Sequence, residues 1–373
     1  MPTTATSAPS ATEAMSRHRH ARSAAPSPPS SERTTNEIQT RSAIDPAARR
    51  AGATTPSTSP YPPEFLRGRD PARGHAVLLT MLDRRLKFGV VMISSGCTPD
   101  EWMEKCRRAE GLGYDAIGVP DHLNLMSPFP SAVLAGSATT RPKIATYVLN
   151  ANFYNHTLMA RDIATADILL DGRLELGLGT GYVEQEFTAA GVPFGTAADR
   201  VGRLESAVAQ LEGLFADEGS PQPVQRPRPP LAIGGHGRRV LRLAARNAEV
   251  VSFTGAPFRP EFGRTGLVDG PALRERVDFV RRESAERSVQ PEFNVLSKQT
   301  VLTRDRRAAA EALRRYGPDL DTDQLLDVPM LFVGTAPQIA EQIRRHSAEL
   351  GLTYFTVMEP AMEDFGKVIK LIR

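Results

Sequence analysis

From residue 87 onward, short apolar runs alternate with stretches that repeat apolar residues every three or four positions. The short runs are typical of strands buried on both faces, and the longer stretches are typical of amphipathic helices. Strands are predicted at 87–93, 114–119, 143–149, 173–178, 230–233, 249–253, 292–302 and 352–358. This alternation indicates α/β architecture, with βα units around a parallel sheet.

The number of strands decides between two α/β architectures. A doubly wound open sheet is one option, and a closed (β/α)8 TIM barrel is the other. About 285 residues with eight alternations suit the barrel better. The sequence therefore predicts a TIM barrel.

The start of the first helix is well marked. Thr98 suits the N-cap, Pro99 the first helical position and Glu101 the third, and this combination is typical of a capping box. Gly111 and Gly113 are expected to end the helix. The pattern thus predicts a helix directly after the first strand.

Residues 1–86 have a different composition from the rest of the chain. They are rich in Ser, Thr, Pro, Ala and Arg and lack apolar periodicity, so they cannot offset their own ordering entropy. We interpret them as a disordered extension before one barrel domain at 87–373. Residues 1–60 carry seven Arg, no Lys and four acidic residues, which equals the whole net charge of +3. The remainder is formally neutral, which argues against a nucleic-acid partner.

Several other classes of protein are disfavoured by the sequence. No apolar run approaches the ~18 residues of a membrane span, and no signal peptide is recognisable, so we expect a soluble cytoplasmic protein without a membrane partner. Cys97 and Cys106 are too few for a disulfide framework, and no residue cluster has metal-ligand spacing, so no metal is expected. The chain also lacks the Gly-x-Ser-x-Gly motif of ester hydrolases and a Rossmann fingerprint.

Two predicted strands run into glycines. One is followed directly by a helix and forms a candidate phosphate cradle at Gly234, Gly235, His236 and Gly237. Glycines let backbone N–H groups approach an anion, and a helix N-terminus adds about half a positive charge. A tight loop is the alternative interpretation. The other strand ends in Gly179, Thr180 and Gly181, and two such ends favour a phosphorylated cofactor at the C-terminal rim of a barrel.

Five sequence motifs, in the expected order along the chain, resemble those of one protein family. The chain is similar to the bacterial luciferase-like superfamily of flavin and deazaflavin oxidoreductases, particularly an actinobacterial branch that depends on coenzyme F420. The resemblance covers nearly everything after residue 87. It rests on the cradle and on the segments 113–117, 120–122, 152–156 and 171–181.

The resemblance implies where a cofactor would bind. It places the ring of coenzyme F420, or alternatively FMN, across the C-terminal mouth of a TIM barrel, with its phosphate in the cradle. A non-proline cis peptide that supports the ring would join Tyr147 to Val148. Further cofactor contacts are expected at Gly179, Thr180, Gly181 and Thr254.

His122 is the main candidate for proton transfer. It directly follows the second predicted strand, where barrel enzymes place catalytic groups, and a histidine can exchange protons at neutral pH. It either exchanges a proton with substrate or only hydrogen-bonds the loop backbone. Asp121, the second catalytic candidate, either orients the imidazole ring of His122 or caps the loop. Some deazaflavin enzymes have a glutamate where this chain has Tyr182, so no proton donor is assigned there.

Charged residues also begin two predicted helices. Glu184 and Glu186 follow the Gly-Thr-Gly segment, and we interpret them as ordinary first-turn charges. Arg238 and Arg239 begin the helix after the cradle, where the helix dipole disfavours cations. A neighbouring phosphate would explain the two arginines, and a solvated charge pair would explain them equally well.

Together these features predict an oxidoreductase that transfers a hydride between coenzyme F420 and a small organic substrate. The first alternative is an FMN-dependent monooxygenase that uses reduced flavin and O2 on the same scaffold. An alternative of another class is a non-catalytic partner subunit that has lost its cofactor. The sequence does not identify the substrate, and it leaves a homodimer open.

Overall fold

Eight parallel strands form the centre of the protein in this computed structural model, which describes residues 85–216, 221–255, 258–259 and 264–373. Each predicted strand overlaps one of the eight barrel strands. In chain order they are β1 Lys87–Val91, β2 Ala116–Val119, β3 Lys143–Thr146, β4 Leu174–Gly179, β5 Leu231–Gly235, β6 Val250–Phe253, β7 Glu292–Leu296 and β8 Leu352–Met358.

The strands close into a barrel. Each strand pairs in parallel with its neighbours in chain order, and β8 pairs with β1. β3 pairs with β4 through Ile144 opposite Leu174 and Ala145 opposite Glu175. Beyond β3, the short strand Leu149–Asn150 pairs with the end of β4. The predicted TIM barrel is confirmed.

Helices cover the outside of the barrel. They are α1 Pro99–Leu112, α2 Pro128–Ala138, α3 His156–Leu169, α4 Glu184–Ala189, α5 Ala197–Ala216, α6 Arg238–Asn247, α7 Gly270–Glu283, α8 Arg306–Ala312, α9 Thr322–Asp327, α10 Ala336–Leu350 and α11 Met362–Ile372. Thr98 caps α1 through the expected capping box with Glu101, and Gly113 ends the helix at φ 93°. The predicted start of the helix and its end at Gly113 are therefore confirmed, whereas Gly111 lies inside the helix.

The prediction of one strand over 292–302 is wrong. β7 ends at Leu296, and a separate strand, Gln299–Leu302, pairs in parallel with Leu331–Gly334 outside the barrel. The backbone changes partner at the break, because Ser297 N donates to Thr356 O on β8, whereas Lys298 N donates to Met330 O. An unbroken apolar run does not reveal such a change of partner.

Apolar and polar side chains both fill the barrel interior. Near the base, four buried side chains form a cluster of their own: Ala116, Ala232, Val250 and Tyr354. Nearer the C-terminal ends of the strands, Ser252, Asn294 and Thr356 are buried and hydrogen-bonded. These polar side chains therefore lie beneath the C-terminal mouth, which we define as the space bounded by the C-terminal ends of β1–β8.

Part of the predicted organisation falls outside this description. The extension at 1–86 lies outside the described residues except for its last two positions. Among the helices that the structure describes, none has the length and apolar character needed to cross a membrane.

Candidate active site

The end of β3 brings several predicted cofactor residues together. The peptide bond between Tyr147 and Val148 is cis, as the family resemblance implied. The Val148 side chain lies beside Gly179 at the end of β4 and Gly234 at the end of β5. A Cβ at Gly234 would also lie 3.6 Å from Thr254 Cγ2, after β6. Four strand ends therefore meet around Val148.

Neighbouring glycines make room for this segment. A Cβ on Gly118 of β2 would lie 2.9 Å from Tyr147 Cβ, and one on Gly179 would lie 2.6 Å from Val148 Cγ2. A Cβ on Gly177 would overlap the carbonyl oxygen of Thr146. Since real Cβ atoms do not approach this closely, glycine is required by packing on both sides of β3.

Buried polar side chains anchor Tyr147. Its hydroxyl donates to Asn294 Oδ1 at 2.7 Å and lies 3.1 Å from Ser252 Oγ. Asn294 in turn donates to Thr356 Oγ1 at 2.9 Å. Burial raises the pKa of Tyr147 to about 12, so the phenol stays protonated at neutral pH. The network thus ties the end of β3 to β6, β7 and β8.

The predicted phosphate cradle, residues 234–237, joins β5 to α6. Gly237 is the N-cap of α6 and provides no side-chain cap, so the first N–H groups of the helix are not satisfied by that residue. A Cβ on Gly237 would meet no atom within 4 Å. A Cβ on Gly235 would instead collide with Val240. Helix packing therefore accounts for the absence of a side chain at Gly235, where we expected close backbone approach to phosphate.

Two basic side chains lie near His236 of the cradle. Burial lowers the pKa of His236, and the charges of Arg276 and Lys298 lower it further. Arg276 Nη1 donates to the carbonyl of Gly255, just beyond β6. Burial lowers the pKa of Lys298 to about 8, so this residue is still mostly cationic at pH 7. This side of the mouth therefore attracts anions.

The two arginines at the start of α6 have carboxylate partners. Arg238 pairs with Glu275 at 2.5 Å, and Arg239 pairs with Glu205 at 2.6 Å. All four side chains are substantially exposed to solvent. Ion pairs on the outside of the barrel therefore explain these cations without a phosphate.

The loop after β4 is held by two asparagines. Gly181 has φ 62°, and a Cβ at this position would overlap the Asn150 side chain. Asn152 Nδ2 donates to Thr180 O at 3.0 Å. The predicted Gly-Thr-Gly segment is thus fixed against the loop after β3.

His122 lies in the loop after β2, whereas the cradle follows β5. Its Nδ1 is 2.9 Å from Glu186 Oε1, and its ring packs edge to face with Tyr182 at a centroid distance of 6.0 Å. Glu186 was interpreted from sequence as a first-turn charge, and that interpretation missed its contact with His122. The sequence does place Glu186 shortly after the end of β4, where barrel enzymes carry functional groups.

Asp121 is turned toward the loop after β3. Its Oδ2 accepts from Asn150 N at 2.9 Å and from the Tyr154 hydroxyl at 3.1 Å. Burial raises the pKa of Asp121, and these hydrogen bonds and the nearby His122 oppose that rise. The geometry favours loop anchoring, and the carboxylate that contacts the imidazole of His122 is Glu186.

The mouth fits a large anionic cofactor. A helix N-terminus without a side-chain cap, open space at Gly237 and nearby cations suit a phosphate group. The cis peptide lies at the end of β3, with the Val148 side chain beside Gly179 and Gly234. Within the described residues, no group of His, Cys, Asp and Glu is arranged to hold a metal ion.

Comparisons with known proteins agree with this architecture. The chain is 35% identical over 130 residues to the F420-dependent glucose-6-phosphate dehydrogenase of Kribbella flavida, covering 32% of this chain and 39% of that protein. The chain thus spans about two fifths of that relative's length.

Solved structures also share the fold, and two of them serve as examples. An F420-dependent secondary alcohol dehydrogenase matches with a TM-score of 0.61 at 19% identity, over 78% of this chain and 99% of its own. The monooxygenase RslO1 from Streptomyces bottropensis matches with a TM-score of 0.61 at 18% identity, over 77% and 99%. The model of the luciferase-like monooxygenase family matches residues 86–317, more than half of the chain. This protein therefore belongs to the luciferase-like monooxygenase family.

Proposed function

We propose that this protein is an oxidoreductase that transfers a hydride between coenzyme F420 and a small organic substrate. The supporting observation is the division of the mouth into two chemically different sides. Residues 234–237, with Arg276 and Lys298 nearby, form a basic side that suits the phosphate of the cofactor. His122 and Glu186 form a side suited to proton exchange.

When bound, the deazaflavin ring supplies the acceptor or donor of the hydride. The protein positions the reacting groups and handles the proton. Val148 and its glycine neighbours provide the surface beneath the ring, and the cradle holds the anionic tail. His122 lies within the mouth with 32% of its side chain exposed, so a substrate can reach the imidazole.

The known relatives support this choice of cofactor. The Kribbella flavida relative and one of the two matching structures are named as F420-dependent dehydrogenases. The other matching structure is a monooxygenase, which keeps an FMN-dependent monooxygenase as the second candidate. The cradle argues against the third candidate, a cofactor-free partner subunit. A homodimer, cytoplasmic location and the absence of a nucleic-acid partner stay predictions.

Turnover by wild type and His122→Asn tests this proposal. A panel of small alcohols is offered with oxidised F420 without oxygen, and their carbonyl products are offered with reduced F420. We expect wild type to convert at least one pair, and His122→Asn to lower kcat by roughly 100-fold with little change in cofactor affinity, because acid–base help acts in the transition state. Oxygen consumption with reduced FMN, without F420 turnover, would instead favour the monooxygenase.

A further inference from the structure

Glu186 contacts the loop that carries His122 at two points. Oε1 lies 2.9 Å from His122 Nδ1 and accepts a longer hydrogen bond, 3.4 Å, from the Leu123 backbone N–H. Only 17% of the Glu186 side chain is exposed, whereas Glu184 on the same short helix is exposed to solvent. Glu186 is therefore directed toward the loop after β2 rather than into solvent.

The chemistry of this contact fixes the proton on the imidazole ring. An ionised carboxylate only accepts hydrogen bonds, so Nδ1 must carry the hydrogen. In the neutral ring, Nε2 then carries the lone pair on the side away from Glu186. A carboxylate that binds one ring nitrogen is a common way to orient a histidine for work at the other nitrogen.

Neighbouring side chains do not compete for this contact. Asp121 is next to His122 in sequence, but its Oδ2 is engaged by Asn150 N and the Tyr154 hydroxyl. Tyr182 lies against the His122 ring through an edge-to-face contact. The ring is thus held by a carboxylate at Nδ1 and by an aromatic neighbour.

We propose that Glu186 is a positioning residue that holds His122 with Nε2 ready to accept a proton from a hydroxyl-bearing substrate. This inference rests on the proposed function. In the oxidation direction, the C–H bond of the alcohol breaks, its electron pair and hydrogen pass as hydride to the cofactor, and the O–H proton passes to Nε2, leaving a carbonyl. Reduction of the carbonyl reverses both transfers. On this proposal the substrate is an alcohol and the product is an aldehyde or ketone.

The first measurement needs no cofactor. The 15N shifts of His122 in neutral solution report which ring nitrogen is protonated in wild type, in Glu186→Ala and in the matched control Glu184→Ala. We expect Nδ1–H in wild type and in the control, and a majority of Nε2–H in Glu186→Ala. An Nε2–H ring in wild type, or an unchanged tautomer in Glu186→Ala, would overturn the proposal.

The second measurement is turnover with F420 and an alcohol. Glu186→Ala should lower kcat by about 10- to 100-fold, with KM and cofactor affinity changed less than about threefold, and Glu184→Ala should match wild type. Equal kcat in all three proteins would contradict the inference. Thermal melting shows whether Glu186→Ala is folded, and Glu186→Leu, which fills a similar space without an acceptor oxygen, replaces it if it is not. Tautomers as expected without wild-type F420 turnover would refute the proposed function and leave the role of Glu186 in orienting the ring.

Discussion

Gly235 and Gly237 in the cradle lack a side chain for different physical reasons. Gly235 faces Val240, so helix packing excludes a Cβ there, whereas the position of Gly237 is open. From the sequence, we expected the backbone to approach a phosphate at both glycines. Only Gly237 can separate ligand binding from folding, because its φ of −80° and ψ of 147° are accessible to any residue.

Replacing Gly237 by Thr should weaken cofactor binding without weakening the fold. Threonine is about as good an N-cap as glycine, so the helix is retained, but its hydroxyl competes for the N–H groups that the phosphate would use. We expect at least a tenfold loss in affinity, about 1.4 kcal/mol. Titration gives the affinity and thermal melting gives the stability; an unchanged Kd would exclude the cradle as the phosphate site.

Gly235→Val is the contrasting variant. Its side chain would be forced against Val240, and overpacking of this kind costs about 1–3 kcal/mol. Urea unfolding should therefore show a loss of stability that Gly237→Thr does not share. Equal stability of the two variants would refute this distinction.

The sequence predicted the position of His122 but not its contact with Glu186. The position of His122 follows from the end of a strand, which an apolar run predicts well. The contact with Glu186 depends on the path of the loop after β4, and no local pattern encodes that path. The cis bond at Tyr147 was expected only because of the family resemblance.

At the element scale, β3 is accommodated by its neighbours. Gly118 on β2 and Gly177 on β4 leave the space that the residues at the end of β3 occupy. The sequence predicted these strands but not this role for the two glycines, because it depends on which strands pair. The break after β7 was missed for the same reason, since Ser297 and Lys298 bond to different partners.

Alanine substitutions at two glycines should have opposite effects on stability. In Gly177→Ala the new methyl group meets the Thr146 backbone, which cannot move as a side chain can, so we expect a loss of more than about 2 kcal/mol. Gly213 lies in α5 with no atom within 4 Å of its added Cβ, and alanine there should add about 0.5–1 kcal/mol. Urea unfolding of both variants checks this, and a stable Gly177→Ala would contradict the packing described for β3.

The carboxyl group of Glu175 is buried inside the barrel. Tyr354 OH is 3.4 Å from Glu175 Oε1, and burial raises the pKa of Glu175 to about 7. Lys87 and Lys143 oppose this shift, and Glu292 adds to it. A raised pKa means that the folded state binds the proton more tightly than the unfolded state does.

The stability contributed by Glu175 should therefore fall as pH rises from about 4.5 to about 7 and be constant above that range. The cost at pH 8 is at most about 3 kcal/mol. Glu175→Gln stays neutral at every pH, so its stability relative to wild type should be greater at pH 8 than at pH 5. Urea unfolding at the two pH values measures this, and a pH-independent difference would show that Glu175 ionises as easily in the folded protein as in the unfolded chain.

We propose that the barrel holds a deazaflavin with its phosphate in the cradle. Absorbance titration of the full chain with F420, and separately with FMN, tests this proposal. We expect saturable binding of F420 at one site per chain, weakened at least tenfold in Gly237→Thr. Binding of FMN without F420, or of neither cofactor, would contradict it.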